Sequence, residues 1–242
     1  MAHGQPDYGM YSAKETIGSI ADNAELAARL GSIVTFDRKG DVIWLDTFEG
    51  EDGKWETSAV GVGASYAQSN EKALRGSFSA KLVTGAAVGN ATSMKRVLAY
   101  PILSNLGFEI AFNITNAASN YIFQLHYNTG ALQWRAEIRW NVTTQVLEYL
   151  DAAGAPQTLD NVRGSTEGTL FHILKLVINS TNHTYHRLIL DSNSYDMSNI
   201  AAQFAGDGAA PHFFIYFEAM NIITAVNKDH FVDCVIATQN EP

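Results

Sequence analysis

Five polar side chains from the middle of the chain could line a groove for a polar ligand: Gln124, His126, Arg135, Glu137 and Arg139. Amide, imidazole, carboxylate and guanidinium groups together donate and accept the hydrogen bonds that fix such a ligand. Three of them recur at every second position, so in a strand they would share one face together with Gln133. The same alternation is typical of an ordinary solvated sheet face with cross-strand ion pairs, and the residue types favour that interpretation without excluding a groove.

The residue groups that catalyse hydrolysis are not apparent. Sandwich glucanases place two acids on one strand to flank the scissile bond, and neither Glu109 nor Glu137 has a second acid at the required spacing. The chain has no Gly-x-Ser-x-Gly motif, and His183 and His186 would point to opposite faces of a strand, which spoils a shared metal. The sequence therefore predicts that the chain is not an enzyme.

The elements that must position these side chains are β-strands. Leu132–Asn141 alternates strictly, with Trp134 and Trp140 among its apolar residues, and these two rings are expected in the core. Alternation or short apolar runs predict further strands at 108–114, 121–127, 146–150, 171–178, 185–190, 212–217 and 231–238. With no long helices between them, the sequence predicts an all-β, antiparallel two-sheet jelly-roll sandwich. The segment Ser198–Gly208 is expected to carry one helical turn.

The first residues differ from the rest. Two capping-box spacings, Ser12 to Glu15 and Asp22 to Glu25, predict two short helices that end before Gly31. Helices this short are unstable alone in water, so the arm must dock on its own sandwich or on a neighbouring copy. We therefore divide the chain into an N-terminal helical arm at 1–31 and a sandwich domain at 32–242.

Composition restricts the partners and the compartment. A net charge of −9 argues against a nucleic-acid surface. Cys234 is the only cysteine, which excludes an internal disulfide, and in its apolar strand we expect a buried thiol. The chain shows no signal-peptide pattern and no apolar run near the roughly 20 residues of a membrane span, so we expect a soluble cytoplasmic protein with no membrane partner.

Three segments resemble a known family. Leu45-Asp46-Thr47-Phe48-Glu49-Gly50 leads to Trp55, Gly76-Ser77-Phe78-Ser79-Ala80-Lys81-Leu82 follows, and the strand with Asp233 closes the chain. In this order they resemble calcium-binding jelly-roll carbohydrate-binding modules. The resemblance implies that the first and last strands lie close together and that a structural Ca²⁺ is held by Glu49 and Asp233, with Asp46 as a further candidate and loop carbonyls from Glu71 to Ser77. The same three carboxylates could instead cap strand ends or pair with Arg75 and Lys81.

Two functions follow as hypotheses. The chain as a whole also resembles uncharacterised proteins of tailed phages and environmental genomes. With the docking arm and the missing catalytic cluster, this favours a non-enzymatic structural protein of a virus particle, such as a capsid decoration, that forms a homo-oligomer or larger shell through the arm. The alternative is a carbohydrate-binding module with a structural calcium ion and a glycan as its partner.

Overall fold

A computed structural model describes residues 40–50, 52–115, 119–164, 170–206, 209–222 and 227–242. The expected helical arm at 1–31 lies outside these residues. Within them the protein forms sixteen strands and one short 3-10 helix, Asp52–Lys54. The strands are β1 (Asp41–Asp46), β2 (Glu56–Val60), β3 (Ala64–Ser69), β4 (Ser79–Thr84), β5 (Ala91–Ala99), β6 (Asn105–Asn113), β7 (Ser119–Asn128), β8 (Leu132–Asn141), β9 (Val146–Leu150), β10 (Pro156–Asn161), β11 (Phe171–Asn179), β12 (Thr184–Leu190), β13 (Asn193–Asp196), β14 (Gln203–Gly206), β15 (His212–Asn221) and β16 (Asp229–Gln239).

The strands build two antiparallel sheets of eight strands each. Sheet I has the order β13-β12-β11-β6-β16-β4-β3, and β1 also pairs with β16. Sheet II has the order β10-β9-β8-β7-β15-β5-β2, and β14 also pairs with β8. This architecture confirms the predicted all-β jelly-roll sandwich. The expected helical turn in Ser198–Gly208 is wrong, because β14 pairs there with β8.

The core lies between the sheets and follows the two-residue period of the strands. Along β15, buried Phe213, Ile215 and Phe217 alternate with partly exposed residues. Phe112 of β6 contacts a cluster of rings with centroids 4.9–6.0 Å away. Those rings belong to Tyr121, Phe123, Trp140, His172 and Phe217. Trp134 and Trp140 are buried, as the alternation of β8 predicts.

The outer face of sheet I carries a buried charge cluster. Lys175 Nζ lies 3.0 Å from Glu109 and 2.9 Å from Glu241. Arg187 holds the second oxygen of Glu241 at 2.7 Å. Residues after β16 therefore fold back over the sheet and seal these charges from water, which makes the cluster a structural element. Among the described residues, no helix has the length and apolar character to cross a membrane.

Candidate functional site

The candidate site is the outer face of sheet II. Strand register places Phe214 of β15 opposite His126 of β7, His126 opposite Arg135 of β8, and Arg135 opposite Gln203 of β14. Paired residues of an antiparallel sheet point to the same side, so these four form one row across four strands. The rings of Phe214 and His126 stack with centroids 4.0 Å apart.

A directed chain of hydrogen bonds runs through this face. Gln133 Nε2 donates to His126 Nδ1, and His126 Nε2 donates to Gln124 Oε1 at 2.9 Å. Gln124 Nε2 in turn donates to Glu137 Oε2 at 2.6 Å. Because the carboxylate of Glu137 only accepts, the orientation of Gln124 is fixed, and that fixes the proton of His126 on Nε2. Four of these side chains are thus held in single positions before any ligand arrives.

The imidazole of His126 stays neutral in this chain. Burial lowers its pKa well below the usual value, and the nearby charge of Arg135 lowers that pKa further. Both ring nitrogens are engaged by glutamine side chains, so His126 positions its neighbours. It is not a free base.

Glu137 is the centre of the face. Its side chain is 1% exposed, whereas those of Arg135 and Arg139 are 31% and 33% exposed. Arg139 Nε donates to Glu137 Oε1 at 2.5 Å, and Arg135 Nη1 lies 3.6 Å from Oε2. The face is therefore not simply a solvated sheet with surface ion pairs: a buried carboxylate holds two guanidinium groups whose other edges remain accessible.

A cavity of about 150 Å³ opens at this row and is lined by His126, Gln133, Arg135, Gln203 and Ala205. Among the described residues, Arg135 Nε and Gln203 Oε1 are buried without a hydrogen-bond partner. Unpaired buried polar atoms are rare in proteins and often mark a place where a ligand or water completes the bonds. Both atoms are buried parts of side chains that line the cavity, on neighbouring strands, and a small side-chain rotation would bring each to a ligand there.

A second carboxylate reaches the same face from another strand. Ile122 of β7 lies opposite both Glu218 and Arg139, while Gln124 lies opposite both Tyr216 and Glu137, so Glu218 is diagonal to Glu137. Burial raises the pKa of Glu218, and the charge of Glu137 raises that pKa further, against the hydrogen bond donated by Tyr216. The spacing of acids along single strands does not reveal Glu218, since it lies on a strand distant in sequence.

The raised pKa of Glu218 predicts a pH-dependent stability difference. The folded state binds the Glu218 proton more tightly than the unfolded state, so this carboxyl costs stability as the pH rises above about 4.5. Glu218→Gln is expected to raise the melting temperature at neutral pH and to have little effect in acid. Thermal unfolding over a pH series tests this, with exposed Glu56→Gln as the control. A difference that is the same at every pH would contradict the assignment.

Glu49 and Asp233 are brought together beside β16, where the neighbour of that strand changes from β4 to β1. Glu49 Oε1 accepts from the backbone N–H groups of Ser77 and Phe78 at 2.7 and 2.8 Å. Asp233 Oδ2 accepts from Leu74 and Arg75 at 2.6 and 2.8 Å. Burial raises the pKa of Asp233, and the charge of Glu49 adds to this rise. The carboxylates of Glu49 and Asp233 therefore bind neighbouring backbone N–H groups of the same loop, residues 74–78.

This pair fits a cation better than the trio with Asp46. Asp233 Oδ1 is buried and has no hydrogen-bond partner among the described residues, as a vacant ligand atom for a hard cation would be. Asp46 has both oxygens engaged, by Lys54 Nζ and Phe48 N on Oδ1 and by Trp55 Nε1 on Oδ2. Asp46 therefore anchors the turn after β1 and lies outside the pair. The suggested alternative pairing with Lys81 is not seen, since Lys81 contacts Glu71 and Asp229.

No family model and no curated protein matches the chain. Solved structures do match. One is the endo-β-1,4-glucuronan lyase of the fungus Trichoderma reesei, with a TM-score of 0.55, 10% identity, and coverage of 82% of this chain and 95% of that one. The carbohydrate recognition domain of Emp46p in its potassium-bound form matches with a TM-score of 0.52 and 13% identity, and the match covers 81% of this chain and 95% of that domain. A carbohydrate esterase of the Shiga toxin-encoding bacteriophage phi24B matches with a TM-score of 0.52 and 13% identity, and the match covers 83% of this chain and 99% of that one.

These likenesses establish a jelly-roll sandwich of the kind found in carbohydrate-binding domains and carbohydrate-active enzymes. They contradict the prediction of a viral structural protein, because the similar structures are a lyase, an esterase and a recognition domain that act on or bind carbohydrates. The prediction that the chain is not an enzyme is contradicted by the same lyase and esterase. The calcium ion, the oligomer, the virion or cytoplasmic location and the phage resemblance stay predictions.

Proposed function

We propose that this protein is carbohydrate-active and binds its glycan on the outer face of sheet II. The observation that carries the proposal is the cavity lined by Arg135 and Gln203. Each of these side chains has an unpaired hydrogen-bonding atom, and the cavity lies beside the fixed hydrogen-bond chain of His126 and Gln133. Sugars need dense and directed hydrogen bonds, and groups held in place before binding lose little entropy when they form them. The fold likeness to carbohydrate-binding and carbohydrate-processing proteins supports the same conclusion.

A polysaccharide panel tests this proposal. The wild-type protein is expected to bind at least one glycan. Gln133→Ala, which removes a cavity wall and the donor to His126, is expected to weaken binding by about tenfold. Asn193→Ala on exposed β13 of sheet I is the matched control and should bind like the wild type. The proposal fails if no glycan binds, or if both variants weaken binding equally.

A second candidate function is cleavage of the bound glycan. It is favoured by Glu218, because a carboxyl group with a raised pKa keeps its proton nearer to neutral pH and can deliver it to a leaving oxygen. Tyr216 donates a hydrogen bond that orients the Glu218 carboxyl, and burial raises the pKa of Tyr216, so it keeps its own proton. The water that adds its hydroxyl to the cleaved bond supplies the proton that restores Glu218. New chain ends released from a bound polysaccharide are the measurement. Glu218→Gln should abolish that release and preserve binding, and unchanged release would rule out this role.

We propose in addition that a hard cation such as Ca²⁺ stabilises the sandwich beside Glu49 and Asp233. The support is the unpartnered Asp233 Oδ1 together with the surplus negative charge of the pair. Calcium is expected to raise the melting temperature and a chelator to lower it. Glu49→Gln should remove this response, and exposed Glu71→Gln should keep it. A melting temperature that neither calcium nor chelator changes would contradict the cation site.

A further inference from the structure

The cavity on the outer face of sheet II has a local surplus of positive charge, because Arg135 is the one charged side chain among the described residues that line it. Beside the cavity, Arg135 and Arg139 share the carboxylate of Glu137, and Glu148 of β9 lies opposite Arg139. Arg139 is the close partner at 2.5 Å, while Arg135 stands off at 3.6 Å, beyond a normal hydrogen bond. Among the residues that the structure describes, none that lines the cavity is acidic. Arg135 therefore brings a charge to the cavity that the protein compensates only in part.

The overall charge of the chain makes this surplus informative. The protein carries −9, so a cationic cavity is a local feature and does not follow from the general composition. Other acids of this face, Glu56, Glu148 and Glu218, are not among the residues that line the cavity. Glu218 also accepts a hydrogen bond from Tyr216 and has a raised pKa, which reduces the negative charge it presents to a ligand. Lys95 is engaged by Glu56 at 2.7 Å. Arg135 is thus the cation best placed to meet an anionic ligand in the cavity.

The unpaired atoms specify the ligand further. Arg135 Nε is a donor without an acceptor among the described residues, and Gln203 Oε1 on the opposing strand is an acceptor without a donor. A ligand that satisfies both carries an acceptor and a hydroxyl donor a short distance apart, and an anionic acceptor also pairs with the charge of Arg135. A uronic-acid ring has both, since its carboxylate and its hydroxyl groups sit on one rigid ring.

We propose that this cavity binds a uronic-acid unit of an acidic polysaccharide, with Arg135 binding the carboxylate and Gln203 Oε1 accepting from a hydroxyl of the same unit. The inference rests on the proposed function and narrows its substrate class. Glu137 acts as a positioning residue in this account, because its buried carboxylate lies 3.6 Å from Arg135 Nη1 and is itself held by Arg139.

The test compares two oligosaccharides of the same length and linkage, one of glucose and one of glucuronic acid, by titration calorimetry on the full chain. The acidic oligosaccharide is expected to bind more tightly, and its affinity should fall as salt rises. Arg135→Gln should weaken binding of the acidic oligosaccharide by about tenfold or more and leave the neutral one nearly unchanged. Exposed Arg163→Gln, which makes the same charge change away from the cavity, should leave both unchanged. Thermal unfolding of each variant checks that it folds.

The outcomes separate this inference from the proposed function. Equal binding of both oligosaccharides, tighter binding of the neutral one, or an Arg135→Gln variant with full affinity for the acidic one would overturn the uronate assignment and leave glycan binding intact. Binding of a sulfated glucose oligosaccharide in preference to the uronate would likewise overturn it. If neither these sugars nor any panel polysaccharide binds, both proposals fail.

Discussion

Replacing Lys175 with methionine is expected to lower the free energy of unfolding by about 3–5 kcal/mol. The ammonium group of Lys175 lies between Glu109 and Glu241, and the side chains of all three are fully buried. Methionine fills a similar volume but leaves two buried carboxylates without this cation, and Arg187 compensates only one of them. Urea denaturation followed by circular dichroism gives the free energy directly.

The matched control is a partly exposed lysine of the same sheet. Lys81 forms two ion pairs, with Glu71 and Asp229, but its partners are 54% and 41% exposed. Lys81→Met should therefore cost about 1 kcal/mol or less. Equal losses in the two variants would show that burial does not govern the Lys175 cluster.

Acid is expected to destabilise the fold well before most carboxylates titrate. Burial lowers the pKa of His230 to about 3, against an ordinary 6.5, and the ring accepts or donates only to buried Tyr121 and Ser119. The unfolded state binds this proton first, so stability is complete above about pH 6.5 and is lost as the pH falls toward 3. The linked loss at pH 5 is about 2 kcal/mol for His230 alone. His126 contributes in the same direction.

His230→Gln tests this linkage, because glutamine keeps a partner for Tyr121 and cannot titrate. The variant is less stable overall, but the difference between its free energies of unfolding at pH 7 and pH 5 should be about 2 kcal/mol smaller than in the wild type. Urea titrations at both pH values measure it. An identical pH dependence in the two proteins would contradict this, because it would mean that folding does not change the pKa of His230.

The fold was predictable wherever one face of a strand is buried and the other is not. The segment Leu132–Asn141 is an example: its alternation gives the limits of β8 and the burial of Trp134 and Trp140. The edge strands gave no such pattern. All five residues of β2 and three of the four residues of β14 are exposed, so neither strand has a buried apolar face to detect. Their position is set by pairing with β5 and β8, which depends on residues distant in sequence.

The candidate site was predictable only in part for the same reason. The alternation of β7 and β8 places Gln124, His126, Arg135, Glu137 and Arg139 on one face. The sequence does not reveal that β15 lies beside β7, so it does not predict Tyr216 and Glu218 as part of this face. It also does not predict Gln203, which lies in the segment where a helical turn was expected. Tyr-x-Glu in an alternating strand is weak evidence taken alone. The burial of Glu137 was also missed, because it depends on the two arginines that fold over it.

The approach of Glu49 to Asp233 depends on a local irregularity. Strand β16 has a bulge between Asp233 and Val235, where Cys234 adopts a φ of 58°. The bulge exchanges the two faces of the strand. Val232 and Val235 therefore both pack in the core between the sheets, and Cys234 packs with Ala111 and Ile236 in a small apolar cluster on the opposite face. Asp233 is thereby available to the loop at Leu74 and Arg75. Family resemblance predicted the meeting of these carboxylates, whereas strand periodicity alone would have misplaced every residue after Asp233.

The central claim is that a glycan binds on the outer face of sheet II, beside Arg135. The most direct measurement follows the side-chain N–H resonances of isotope-labelled protein by NMR during titration with a glucuronic-acid oligosaccharide. The account predicts dose-dependent shifts for the Nε–H of Arg135, the ring of His126 and the amide of Gln203, with the Arg187 resonance on sheet I unchanged. Shifts confined to sheet I, or saturable binding that leaves Arg135 and Gln203 unmoved, would contradict it.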